Sequence, residues 1–186
     1  MMRHEDGEAA LRAQDPDFFD CWQQLKGAAQ AGGKLSPVIR ELVGLAVNGA
    51  VTHLHAPAMH THIRAALDAG ATRAQVMEVL QLISVLGIHA CSLGISSLQD
   101  EMEKAGIAAP AALSAPLTER QERIKADFTR DRGYWSPRWE TLLRLDADFF
   151  EGYHAYSSQP WKAGSLEPKH REFMYIAIDA STTHLY

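Results

Sequence analysis

Cysteine is nearly missing: Cys21 and Cys91 are the only two in 186 residues, far apart and in no CxxC spacing. That leaves no disulfide framework and no thiolate zinc site, and a reducing, cytoplasmic setting is expected. Basic residues are outnumbered, 18 Lys and Arg against 23 Asp and Glu, for a net charge of -5. Nucleic-acid binding calls for a clustered basic patch, so no nucleic-acid partner is expected. No apolar run is read as reaching the roughly 18–20 uncharged residues of a membrane span. The charged opening MMRHEDGEAALRAQ also lacks the apolar stretch of a secretory signal. A membrane partner is therefore not expected either. Period-two alternation long enough for a strand is missing too. What is there, with 46% hydrophobic residues, suits one or two ordinary globular units with normal cores.

The chain repeats itself. Residues 15–55 align without a gap on residues 146–186, at a constant offset of 131 (146 − 15). DPDFFD at 15–20 recurs as DADFFE at 146–151, LSPVIREL at 35–42 as LEPKHREF at 166–173, and AVTHLH at 50–55 as STTHLY at 181–186. Thirteen of the 41 aligned pairs are identical. The first copy continues well past His55, whereas the second reaches Tyr186 inside an apolar pattern with no Gly or Pro ending. The organisation expected is a first repeat over residues 1–106, with its core motif at 35–105, and an Ala/Pro linker over 107–117. A connecting helix and an incomplete second repeat then fill residues 118–186.

Apolar residues recur at helical spacing almost throughout. Asp15 is read as the cap of a helix carrying Phe18, Phe19, Trp22 and Leu25, fading at Gly32-Gly33. Ser36 followed by Pro37 is an N-cap with proline in the first turn. That helix is expected to run to Leu54, with Pro57 ending it. A third helix is expected from about Met59 to Ala69, stopped by Gly70. Thr72 to Gln75 is a capping box opening a fourth, which ends near Gly87. A fifth covers 89–104, and Thr118 to Gln121 opens the connecting helix.

The 37–54 segment is apolar on most of its surface, which predicts burial nearly all round. Against that background Glu41, Gly44, Asn48, Thr52 and His55 fall on one stripe at about 100° per residue. The second copy keeps the stripe polar with Glu172, Tyr175, Asp179, Thr183 and Tyr186. A buried carboxylate must be paired or protonated, so the stripe points to a polar cavity between helices. The plainer alternative is that Glu41 pairs with Arg40 or with a neighbouring subunit. Four histidines, His53, His55, His60 and His62, lie close together in the chain. Metal binding fits them poorly, because Pro57 divides the four, no carboxylate lies among them, and His-x-His on a helix points its rings about 200° apart. They are either surface and capping residues or, for one or two of them, proton carriers facing the cavity.

The stretch MHTHIRAALDAGATRAQVMEVLQLISVLGIHA, residues 59–90, carries a more specific pattern. Its His-x-Arg-Ala-Ala-Leu-x-x-Gly core, Thr cap and following Glu-Val-Leu, with Arg40-Glu41-Leu42 upstream, resemble the carboxymuconolactone decarboxylase family. The resemblance touches residues from about 35 to 105 and from 166 to 186. It implies an all-α, alkylhydroperoxidase D-like helical bundle of tandem repeats. It also implies a homo-oligomer, a trimer or pseudo-hexameric assembly, with neither metal nor organic cofactor. The alkylhydroperoxidase D branch carries CxxCxxxH. With His62 as that histidine, the cysteine positions fall on His55 and Ala58, so dithiol peroxidase chemistry is disfavoured. What remains resembles the decarboxylase branch.

The expected function is that of a cofactor-independent lyase acting on a small cyclic carboxylic acid or lactone. His62 is the expected proton donor, with Glu41 or His60 orienting it or sharing its proton. Arg64 or Arg40 suits bidentate recognition of the substrate carboxylate, and Asn48 and His55 are further candidates to touch substrate. Two alternatives stay open. One is an isomerase or hydrolase working on a lactone with the same histidine. The other is a catalytically silent oligomer that binds a small acid.

Overall fold

The computed structural model describes residues 4–31 and 33–182, and every regular element among them is helical. The order is α1 (His4–Gln14), α2 (Pro16–Ala31), α3 (Pro37–Gly49), α4 (Ala56–Asp68), α5 (Arg73–Val85), α6 (His89–Lys104), α7 (Glu119–Arg132), α8 (Pro137–Leu145), α9 (Ala147–Ala163) and α10 (Pro168–Ser181). Short 3-10 turns lie at Leu86–Ile88 and Ala111–Leu113.

Helix starts follow the capping chemistry of the sequence. Asp15 and Asp146 accept from the backbone N–H of Phe18 and Phe149 at 3.0 and 2.9 Å. Ser36 accepts from Ile39 N–H, and the boxes Thr72–Gln75 and Thr118–Gln121 both close reciprocally. Each satisfies donors that the first turn would otherwise leave unpaired. Gly133 ends α7 at φ +78, a conformation glycine adopts without steric cost. The repeat is visible in the backbone, since α2 and α9 start at 16 and 147, and α3 and α10 at 37 and 168, each at the offset of 131. The short helices α1 and α8, which the sequence reading left unassigned, stand just before these pairs and pack on α2 and α9 respectively.

Two expectations are corrected here. The helix from Pro37 ends at Gly49, not Leu54. The chain turns through residues 50–55, where the Ala50 carbonyl accepts from both His53 and Leu54 and Leu54 has φ +40. Pro57 therefore belongs to the first turn of α4, where a missing N–H costs nothing. Val51 and Leu54 are consequently exposed, at 77% and 63%, because they lie beyond the helix whose face would have buried them.

The second correction concerns length. α5, its 3-10 turn and α6 form a continuous 32-residue run, Arg73–Lys104, long and apolar enough to cross a membrane by length and composition. The sequence pattern alone leads to the expectation of no such run. In this fold α5 spends its apolar face inside the protein, with Val79 and Leu82 fully buried, and it carries Glu78 in an ion pair with Arg171.

Two cores result. The first gathers Leu42, Leu45 and Ala46 of α3 with Val79 and Leu82 of α5 and Met174 and Ile178 of α10. Each buried Leu contributes about 1.5–3 kcal/mol relative to exposure, so α3 is held from two sides by different repeats. The second core is aromatic: Phe128, Trp139 and Phe150 meet with ring centroids 5.5–6.2 Å apart, joined by Ile124 and Leu143.

Candidate active site

α3 and α4 pack closely along each other, and their contact carries the candidate site. His62 on α4 places Nδ1 2.9 Å from Oε2 of Glu41 on α3. The hydrogen bond fixes a tautomer. With Nδ1–H donating to the carboxylate, Nε2 is left as the ring's reactive nitrogen, and it makes no hydrogen bond among the described residues. The side chains of His62 and Glu41 are 29% and 32% exposed. Glu41 is thus half-buried rather than sealed in an internal cavity.

Gly44 makes the pairing possible. A Cβ built on Gly44 would stand 2.5 Å from Cε1 and 2.6 Å from Nδ1 of His62, well inside contact distance. The imidazole lies directly on the bare backbone of α3, one turn beyond Glu41. Asn48, one turn further, donates from its amide to the Gly44 carbonyl at 2.9 Å and walls that end of the stripe. Gly44→Ala is expected to drive the ring off Glu41. In a crystal structure of the variant the 2.9 Å contact should be lost while helices α3 and α4 remain.

The remaining sequence candidates are not brought to this pair. His60 and Arg64 are exposed and stand two residues either side of His62, about 160–200° round the helix. They face away, so the expected help of His60 is not supported by its placement. His55 is the exposed N-cap of α4 and makes no capping bond through its side chain. His53 and Thr52 hydrogen-bond to each other at 3.1 Å on the surface turn. Arg40 is exposed and does not pair with Glu41. Among the described residues no three His, Cys, Asp or Glu side chains are gathered as a metal cluster.

The stripe of the second repeat diverges. Glu172 is exposed, Tyr175 is buried and Asp179 is half-buried, while Thr183 and Tyr186 lie outside the described residues. Tyr175 fills the position equivalent to Gly44, and burial pushes its phenol up to about 12. A cleft of about 450 Å³ opens beside this stripe, lined by His89, Ser92, Tyr134, Arg138, Trp139 and Asp179. Cys91 is half-buried against the aromatic core and Cys21 is exposed.

Two charged clusters escaped the sequence reading. Glu78 and Arg171, 3% and 4% exposed, pair at 2.6 Å between Oε1 and Nε. Asp131 accepts from Lys162 at 2.7 Å and lies 3.0 Å from His154 Nε2. The Lys162 ammonium holds its carboxyl below the usual range. The only available signal was the alignment of Arg171 with Arg40. Nothing in the sequence marked Asp131.

Residues 16–87 match the model of the carboxymuconolactone decarboxylase family. The fold matches the crystal structure of a protein from Burkholderia xenovorans LB400, provisionally named a gamma-carboxymuconolactone decarboxylase subunit. The TM-score is 0.86 and the identity 44%, over 96% of this chain and 70% of that one. Among curated proteins none matches. The chain belongs to the carboxymuconolactone decarboxylase family.

Proposed function

We propose that the protein is a lyase of the carboxymuconolactone decarboxylase type, acting on a small cyclic carboxylic acid or lactone, with His62 carrying the proton. The observation that supports this reading most is the Glu41–His62 hydrogen bond at an accessible surface. A histidine oriented by a carboxylate through Nδ1 presents Nε2 as an acid or base, the arrangement general acid–base catalysis needs. In an unsaturated lactone acid, breaking the bond to the carboxylate releases CO2 and sends the electron pair through the double bond to the lactone carbonyl. The resulting enolate takes a proton at carbon from Nε2 of protonated His62, and the carbonyl reforms. The ring is its own electron sink, so the step calls on no organic cofactor. Glu41 is a positioning residue in this scheme, holding the tautomer and the orientation of the ring.

The single chain leaves Phe18, Leu25, Val51, Leu54 and Ile176 at least 58% exposed. We place these apolar side chains in contacts between subunits, where such a surface is ordinarily covered.

The test is CO2 release from carboxylated unsaturated lactones, followed together with the loss of the substrate's ultraviolet absorbance. Glu41→Gln should lower turnover about tenfold or more, with little change in melting temperature because the amide fills the same space. No CO2 release by the unaltered chain across such acids would refute the lyase reading. Lactone rearrangement or hydrolysis in the same assay would move it to an isomerase or hydrolase.

A further inference from the structure

The buried Glu78–Arg171 pair is the centre of a latch. Glu78 Oε2 accepts from Ser165 N–H at 2.6 Å, from Leu166 N–H at 3.0 Å and from the Ser165 hydroxyl at 3.3 Å, while Oε1 takes Arg171 Nε. Gly164 leaves the room: a Cβ there would stand 2.2 Å from Glu78 Oε1 and 2.6 Å from Arg171 Nη2. The α9–α10 corner of the second repeat thus grips a glutamate on α5 of the first.

The repeat offset carries the glycine, the two backbone N–H groups and the arginine of this grip onto the α2–α3 corner, without the glutamate or the serine hydroxyl. Gly164 corresponds to Gly33, Leu166 to Leu35 and Arg171 to Arg40, all identical in type, with Lys34 in place of Ser165. Nothing fills it. Arg40 is exposed and without an ion pair, and the N–H groups of Lys34 and Leu35 make no hydrogen bond among the described residues. On α2, Lys26 and Gly27 are exposed where their counterparts on α9, Ser157 and Ser158, are fully buried. α9 packs on α5 and α7, whereas α2 packs chiefly on α1.

We propose that the α2–α3 corner is a docking surface for a second α5-type helix carrying a glutamate in the register of Glu78. Its source is the matching part of a second repeat. The unmatched charge of Arg40 fits a carboxylate, the paired N–H groups fit its second oxygen, and Gly33 stands where Gly164 does in the other repeat. The solved relative also extends beyond the part this chain matches, with 70% of it covered. A second copy of this chain is the poorer occupant, since its Glu78 is already held by its own Arg171. Arg40 on this account is an assembly residue rather than a substrate anchor.

The probe is a synthetic hairpin with the sequence of residues 56–88, spanning α4 and α5, titrated into the full chain. Binding should shift the backbone amide signals of Lys34 and Leu35. Arg40→Gln in the chain, or Glu78→Gln in the hairpin, should each weaken binding ~30-fold or more, and the two together should cost little beyond either alone. If the free hairpin is unfolded by circular dichroism, the same segment is appended after Tyr186 in repeat register. Amide exchange at Lys34 and Leu35 is then read instead, and slowed exchange lost in Arg40→Gln supports the proposal. Unshifted and unprotected amides, or binding indifferent to Arg40→Gln, would overturn it. So would the same shifts arising from the chain alone as its concentration rises, which would assign the surface to self-association.

Discussion

His62→Ala is expected to reduce turnover on the order of 100-fold or more while the protein stays folded. The two halves of that expectation rest on different contacts. His62 is partly exposed and its one hydrogen bond goes to an equally exposed carboxylate, so its removal strands no buried charge. The anchoring of α4 comes from Ala66, fully buried, and from Met59 and Ile63 against the first core, none of which the substitution touches. The companion His60→Ala should leave turnover within about twofold, since His60 points away from Glu41 round the helix. Steady-state kinetics on a lactone acid, with a melting curve for each variant, decides it. Equal losses in the two variants, or His62→Ala protein with undiminished turnover, would remove His62 from the reaction.

Glu78→Ala is expected to be strongly destabilising, at about 3–5 kcal/mol. The loss is larger than the worth of the ion pair itself. It leaves the guanidinium of Arg171 buried with no counter-charge and deprives Ser165 and Leu166 of the acceptor for their N–H groups. Desolvated groups without partners carry the full cost of having left water. Arg171→Ala should cost a similar amount, and the double variant less than the sum of the two, because each single change already breaks the same latch. Urea denaturation of the three variants gives the answer. A Glu78→Ala loss below about 1 kcal/mol, the size of an exposed pair, would mean that the repeats are joined mainly by the apolar contacts of α10 with α3.

What the sequence disclosed, and what it did not, divides by the range of the interaction. Caps at Ser36, Thr72 and Thr118 were legible because the bonds they make reach only three residues along the chain. Glu41 and Gly44 were legible as a stripe, since helical periodicity is local, and His62 through its motif. The end of α3 was not, because Val51 and Leu54 continue the apolar pattern after the backbone has turned away. Membership of a helix is settled there by the hydrogen bonds of Ala50 and His55, which side-chain type does not report. Glu78 and Arg171 lie 93 residues apart, and no pattern within either segment says that the other will cover it. The role of Gly44 fell between these cases. Its place on the stripe was plain, but only the docking of α4 shows that an imbedded ring requires a position with no side chain.

That requirement sets a count. Two repeats suggest two equivalent reactive centres, yet Tyr175 occupies in the second what Gly44 leaves open in the first, and a buried phenol cannot make way for an imidazole. The two halves therefore differ in packing at this position, one furnishing a berth for histidine and the other filled by a side chain. A reagent that labels His62 should saturate at one equivalent per polypeptide.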